Sequence, residues 1–119
     1  MAPTRTSRQQ TGDAGEARAA AHLRGLGYVV IGQNVKVGRD ELDLVCEEDD
    51  VVVFVEVRVR ARSVDALESV GLAKQRRIAR AAARFLGAEL HRRFVRFDVV
   101  AISDDGGVVH VTDAFRVSS

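Results

Sequence analysis

The sequence predicts one α/β domain, in which a mixed β-sheet is flanked by helices in the order α-β-β-β-α-β-β. Five stretches are rich in β-branched residues. One stretch with helical periodicity precedes them, and a second separates the first three from the last two. The 119 residues are enough for one sizeable hydrophobic core but not for two. Hydrophobic residues make up 46% of the chain, which is typical of a sequence that folds. We therefore assign residues 13–119 to a single domain and predict that residues 1–12 form a disordered tail.

The first helix is predicted from Asp13 to about Leu26. Asp13 followed by Glu16 has the spacing of a capping box, and Gly27 is a typical helix stop. The stretch "YVVIGQNVKVG" then predicts a strand that bends near Gly32. A stripe of small and apolar residues is expected to face the sheet, formed by Ala17, Ala20, Ala21, Leu23 and Leu26.

The next two strands form a predicted hairpin, "RDELDLVCEEDDVVVFVEVRVR". If Asp49 and Asp50 are its two-residue turn, the numbers of paired residues sum to 99, and Asp43 lies opposite Glu56. Arg58 then points to the same face as Glu56, because side chains alternate along a strand. A turn one residue longer would change every pair.

The facing carboxylates Asp43 and Glu56 suggest a chemical site. Cross-strand neighbours lie about 4.5–5.5 Å apart at Cβ, and like charges placed in this way destabilise a sheet. A divalent cation removes that cost, since Mg²⁺ is held by one or two carboxylates together with phosphate oxygens and water. An ordinary charge cluster formed by Asp43, Glu56 and Arg58 on a solvated face explains the spacing equally well.

The second helix is predicted from Leu72 to Leu90, and two strands follow it, in "RFVRFDVVAI" and "VVHVTDAF". Its apolar side carries Ile78, Ala82, Phe85 and Leu86. Its arginines recur at four-residue spacing and either follow a nucleic-acid backbone or form a solvated face. They are Arg76, Arg80 and Arg84.

The overall charge is nearly balanced, with 18 basic and 17 acidic residues, but arginines gather in local patches that suit a polyanion. No apolar run approaches the roughly 18 residues of a membrane span, and Cys46 is alone, so a reducing cytoplasm is the expected location. We expect Asp98 to pair with an arginine. None of the three histidines is marked as a ligand by its neighbours in sequence.

The order of several motifs resembles the YraN-like family, from about Gly12 to Phe115. These motifs are "GEARAAAHLRGLGYVVIGQN", "DELDLV", "VVFVEVRVRAR", "AKQRRIARAAARFL" and "RFDVVAI". Members of that family are small bacterial proteins predicted to be endonucleases and distantly related to Holliday junction resolvases. The resemblance implies a restriction-endonuclease-like fold with a site of the PD-(D/E)xK type.

The resemblance also implies roles for single residues. Asp43 corresponds to the aspartate of the family's E-[IL]-D motif, and Glu56 corresponds to the acid of its E-V-[KR] motif. With Glu16 from the first helix, these acids would hold Mg²⁺ or Mn²⁺. Arg58 and Gln75 complete the implied catalytic set. The resemblance places Lys74 beside Gln75 in the second helix, and the basic patches of the sequence add the other expected contacts to DNA, so that the full set is Arg60, Arg62, Lys74, Arg76, Arg80 and Arg84.

A complete site of the PD-(D/E)xK type has a lysine at the position where this chain has Arg58. Arginine stays protonated, so it serves as an electrostatic clamp on phosphate but not as a general base. Only Lys36 and Lys74 among the 18 basic residues are lysines, and either could supply an amine. Three interpretations stay open: a metal-dependent DNA endonuclease, with branched DNA as one candidate substrate and a homodimer as its expected assembly; a nucleic-acid-binding module without chemistry; and a scaffold for other proteins.

Overall fold

A computed structural model describes residues 7–60 and 70–116, with no account of the side chains of residues 7–11 and 60. The element order is the predicted one: helix α1 (Ser7–Gly25), strands β1 (Val29–Val37), β2 (Asp40–Glu48) and β3 (Val51–Arg60), helix α2 (Leu72–Leu86), and strands β4 (Phe94–Ser103) and β5 (Val108–Val111). A short 3-10 helix, Gly87–His91, extends α2 over the last residues of the predicted second helix. No helix in the described ranges is long and apolar enough to cross a membrane.

The five strands form one mixed sheet in the order β1-β2-β3-β4-β5. Only β3 and β4 are parallel, and α2 lies between them in the chain. The β2–β3 hairpin has the predicted register, from Glu48 paired with Val51 to Leu44 paired with Val55. Asp49 occupies the turn with a φ of 52°, a conformation that aspartate tolerates better than most residues. The predicted bend in β1 is also present, because its register to β2 shifts between Val30 and Gly32.

The helices cover opposite faces of the sheet, so the domain has three layers. On one face, Ala19, Ala20 and Leu23 of α1 pack with Leu44, Val53, Val55 and Val100. On the other face, Ile78, Ala81 and Ala82 of α2 pack with Leu42, Val45, Val52, Phe54 and Val99.

Helix α1 differs from its predicted form at its start and in its buried stripe. It begins at Ser7, six residues before Asp13, so Asp13 is not its N-cap, and residues 7–12 of the predicted tail are helical. Residues 1–6 lie outside the described part of the chain. The capping-box spacing was therefore coincidental. Of the expected stripe, only Ala20 and Leu23 are buried, whereas Ala17, Ala21 and Leu26 are exposed.

The buried polar residue of β4 has the partner expected from the sequence. Asp98 is fully buried and accepts a hydrogen bond from Arg96 Nε at 2.8 Å. Cys46 lies in the core on the α1 side, and burial raises the pKa of its thiol to about 11. Asp98 therefore has the arginine partner that was expected, and Cys46 is a buried thiol of the core.

Candidate functional site

Asp43 and Glu56 meet where the β2–β3 ladder ends. The last backbone pair is Leu44 with Val55, one step before them. Beyond that pair, the amide of Val57 donates a 2.9 Å hydrogen bond to Asp43 Oδ2, so a side chain replaces the next backbone acceptor. The two carboxyl groups interact with each other across the strands. The prediction that they share one face of adjacent antiparallel strands is confirmed.

Glu56 is poorly compensated for a buried acid. Only 5% of the residue is exposed. Burial and the neighbouring Asp43 together raise the pKa of Glu56 to about 8. Two cations oppose that rise at the same oxygen, Oε1, where Lys74 Nζ lies at 3.7 Å and Arg58 Nε at 3.6 Å. Even with both of them, the site favours a proton or another cation on this pair of acids.

Glu16 approaches the pair from α1. Gly15 permits this approach, because a Cβ at that position would overlap Val59 of β3. Burial and then Asp43 raise the pKa of Glu16, while a hydrogen bond with Asn34 works in the opposite direction. Its Oε2 is buried and makes no hydrogen bond to the described residues. Asp43 is thus electrostatically linked to an acid on each side.

These three acids assemble as two neighbouring pairs that share Asp43. Within residues 7–60 and 70–116, no group of three or more His, Cys, Asp and Glu side chains is arranged to hold a metal ion. The described geometry therefore brings together one close carboxylate pair, Asp43 with Glu56, with Glu16 beside Asp43.

A polar cleft of about 610 Å³ opens beside Asp43, between β2 and α2. Arg80 is fixed at its rim, because its guanidinium donates two hydrogen bonds, at 3.1 and 3.0 Å, to the carboxylate of Asp40. Those hydrogen bonds hold the pKa of Asp40 below its usual value. The lining is strongly charged and consists of Arg39, Asp40, Glu41, Asp43, Lys74, Arg77, Ile78 and Arg80.

The other predicted site residues lie in different places. Gln75 donates its side-chain amide to Val70 O at 3.0 Å, which ties the start of α2 to the preceding segment. Arg76 is exposed and does not line the cleft, whereas the Arg84 guanidinium lies over Gly38. Arg60 ends β3 but its side chain is not described, and Arg62 lies outside the described residues.

Two cleft residues, Arg39 and Arg77, were not among the predicted nucleic-acid contacts. Arg77 follows Lys74 by three residues and therefore lies on the same side of α2. The sequence contained this signal, but the four-residue series that begins at Arg76 obscured it. Arg39 precedes β2, and only the packing of α2 against that strand brings it to the cleft.

The chain matches known proteins over most of its length. Residues 15–102 match the model of the Uncharacterised protein family UPF0102. A UPF0102 protein of Myxococcus xanthus is 42% identical over 114 residues, which cover 91% of this chain and 90% of that protein. A UPF0102 protein of Halorhodospira halophila is 43% identical over 124 residues, which cover 100% of this chain and 99% of that protein.

Among solved structures, the chain is similar to Pyrococcus furiosus SfsA in complex with Ca²⁺, at 13% identity and a TM-score of 0.29. That match covers 92% of this chain and 65% of the SfsA chain, and a likeness this low supports no argument about fold or activity. The family match and the two bacterial relatives do decide the classification: this chain belongs to the UPF0102 (YraN-like) family.

Proposed function

We propose that this protein is a metal-dependent endonuclease that hydrolyses phosphodiester bonds in DNA, with a site of the restriction-endonuclease-like type. The observation that carries the proposal is the Asp43–Glu56 pair, in which burial and like charge raise the pKa of Glu56 to about 8 at the edge of a strongly charged polar cleft. A pair with this electrostatic cost fits a site that is completed by a cation.

The donor atoms fit Mg²⁺ or Mn²⁺. Carboxylate oxygens are the ligands that these hard ions prefer, and Mg²⁺ commonly takes only one or two of them. Asp43 and Glu56 would hold the ion, and Glu16, with one buried oxygen that lacks a described hydrogen-bond partner, would hold a water on the α1 side. A bound divalent ion supplies a water of lowered pKa for hydrolysis.

The remaining residues bind and orient the substrate. Arg58 stays charged and stabilises negative charge on the phosphate under attack. Lys74 comes from α2 to the same oxygen of Glu56, so it provides the lysine that position 58 lacks. Arg39 and Arg77 line the cleft beside Asp43 and are placed to hold the DNA backbone.

Cleavage of labelled duplex and branched DNA, with Mg²⁺ or Mn²⁺ present, tests the proposal. We expect Asp43→Asn and Glu56→Gln each to abolish cleavage while DNA binding survives. Asp50→Asn is the matched control, because it removes an exposed acid in the turn of the same hairpin. If millimolar Mn²⁺ neither raises the thermal stability of the unmutated protein nor supports cleavage, the endonuclease proposal is wrong.

A nucleic-acid-binding module without chemistry is the second candidate, and Arg58 is the observation that favours it. Arg58→Lys separates the two functions, since a gain in cleavage would mean that arginine reduces the activity of an intact site. Fluorescence anisotropy with Arg77→Ala tests the binding surface, and Arg76→Ala on the same helix is its control. We expect Arg77→Ala to weaken DNA binding and to lower the salt slope by about one, with a smaller effect of Arg76→Ala.

A further inference from the structure

A second polar cluster lies on the α1 face of the sheet, away from the acid pair, and Asp98 is its centre. This carboxylate is completely buried. Oδ1 accepts hydrogen bonds from Arg96 Nε at 2.8 Å and from the Asp113 amide at 3.0 Å. Oδ2 accepts from Arg96 Nη2 at 3.0 Å and from His110 Nε2 at 2.8 Å. Burial opposes ionisation, but the hydrogen bonds from His110, Arg96 and Asp113 outweigh it and hold the pKa of Asp98 below its usual value.

An ionised Asp98 fixes the tautomer of His110. A carboxylate only accepts hydrogen bonds, so Nε2 of His110 must carry a hydrogen. In the neutral ring, Nδ1 is then the atom with the lone pair. That atom faces His22 Nε2 of α1 at a distance of 3.3 Å. The two rings meet nearly at right angles, with an interplanar angle of 77°.

We propose that His22 Nε2 and His110 Nδ1 form a binding site for a borderline-soft transition-metal ion such as Zn²⁺. Zinc binds imidazole nitrogen at about 2.0–2.1 Å with tetrahedral geometry, so two nitrogens on one ion lie about 3.3–3.4 Å apart. The separation of the two ring nitrogens agrees with that distance.

The surroundings of His110 match the second shell of a metal site. A metal-binding histidine usually donates its other ring N–H to a carboxylate, which orients the ring and raises the basicity of the ligand nitrogen. Asp98 already accepts such a hydrogen bond, and Arg96 holds Asp98 in place. His22 is partly exposed, so water can complete the coordination from its side, whereas only 9% of the His110 side chain is exposed.

Occupation of this site needs no net proton release when both rings are neutral. In the hydrogen-bonded form, His22 donates its Nε2 hydrogen to His110. When the metal binds, the hydrogen of His22 moves to Nδ1, and Nε2 becomes a ligand.

Isothermal titration of the full-length, untagged protein with Zn²⁺ tests the inference, and Mg²⁺ serves as the hard-metal comparison. The double variant Asp43→Asn, Glu56→Gln removes the acid pair, so zinc binding that persists there is independent of the proposed nuclease site. In that double variant we expect one zinc ion per chain, and a loss of affinity of tenfold or more when His22→Ala is added to it. His91→Ala, which removes an exposed histidine elsewhere, should bind like the unmutated protein.

Ring ¹⁵N chemical shifts identify the ligand atoms directly, without a variant. Zinc should shift His22 Nε2 and His110 Nδ1 and leave His91 unchanged. Zinc affinity that is equal in the double variant with and without His22→Ala would overturn the inference. Shifts confined to His91, or no zinc binding in the double variant, would overturn it as well.

Discussion

Two buried carboxylates, Glu56 and Asp98, lie on the adjacent parallel strands β3 and β4 but have opposite electrostatic surroundings. Glu56 is paired with Val99 and Asp98 with Val55, so their positions in the register differ by one, and the two side chains point to opposite faces of the sheet. Asp98 accepts four hydrogen bonds, and its pKa is lowered. Glu56 faces another acid, and its pKa is raised.

This contrast separates a structural carboxylate from a candidate functional one. Burial removes water from both groups and alone would raise both pKa values. Donors from three residues reverse that effect at Asp98, so its charge strengthens the fold. Lys74 and Arg58 only reduce the effect at Glu56, because Asp43 acts in the other direction. A buried acid that faces another acid, without enough cations or hydrogen-bond donors to offset the repulsion, lowers the stability of the fold. Such local conflicts are most often found at functional sites.

Asp98→Ala is expected to produce the largest change in stability. It leaves His110 and the Asp113 amide without their acceptor and Arg96 without its bidentate partner, so the free energy of unfolding should fall by about 3–5 kcal/mol. Glu56→Gln is the matched comparison and should leave the metal-free protein unchanged or more stable. Urea denaturation at pH 7 measures both variants.

Equal losses of stability in these two variants would contradict the comparison. Such a result would mean that Glu56 is as well compensated as Asp98, and the reason for expecting a cation at the acid pair would disappear.

The dependence of stability on pH is expected to show opposite slopes for the two carboxylates. Glu56 has a pKa of about 8 in the folded state against an ordinary value of 4.5, so the folded state retains a proton that the unfolded state loses between these pH values. The free energy of unfolding should therefore decrease as pH rises through this window, by about 1–3 kcal/mol after allowance for the coupling to Asp43. Asp98 contributes stability above its unfolded pKa, and this is lost as pH falls through its lowered folded pKa.

Denaturation curves from pH 3 to pH 9 measure both slopes. Glu56→Gln should flatten the decrease in the free energy of unfolding above pH 4.5. It should leave unchanged the loss of stability at low pH that Asp98 causes. Mg²⁺ or Mn²⁺ should also flatten the decrease, if the ion binds this pair. A decrease of the same size in Glu56→Gln would assign the slope to other groups.

The acid pair was predictable from the sequence because its geometry depends on one local turn. Once Asp49 and Asp50 form a two-residue loop, the register of the hairpin brings Asp43 to Glu56. The approach of Lys74 to Glu56 depends instead on the packing of α2 against the sheet. The contact between His22 and His110 joins residues 88 positions apart, from the first helix and the last strand, and no local pattern marks it. Arg39 reaches the cleft through the same long-range packing, which explains why sequence reasoning missed it.

Tyr28→Phe tests the outer part of the Asp98 cluster. The hydroxyl of Tyr28 accepts a 2.6 Å hydrogen bond from Arg96 Nη2, which also donates to Glu48. Loss of the hydroxyl removes this acceptor and the hydrogen bond that Tyr28 donates to Glu48, and the free energy of unfolding should fall by about 1–2 kcal/mol, since Arg96 keeps its carboxylate partners. Urea denaturation measures the change, with Val109→Ala as a control at an exposed position of β5. A loss as large as that of Asp98→Ala would place the centre of the network at Tyr28.

Lys74→Met should produce the smallest effect, and it acts on the other carboxylate. Lys74 and Arg58 lie at similar distances from Glu56 Oε1, but Lys74 lowers the pKa of Glu56 more strongly. The charge of an ammonium is concentrated on one nitrogen, whereas that of a guanidinium is spread over a plane. Lys74→Met should raise the pKa of Glu56 further, by up to about one unit, or about 1.4 kcal/mol. Arg58→Met should raise it by less.

Carboxyl ¹³C chemical shifts follow each titration, and Asp98 on the opposite face should titrate unchanged in both variants. A larger effect of Arg58→Met would make the arginine the principal cation of the site and would remove the reason to treat Lys74 as its replacement lysine.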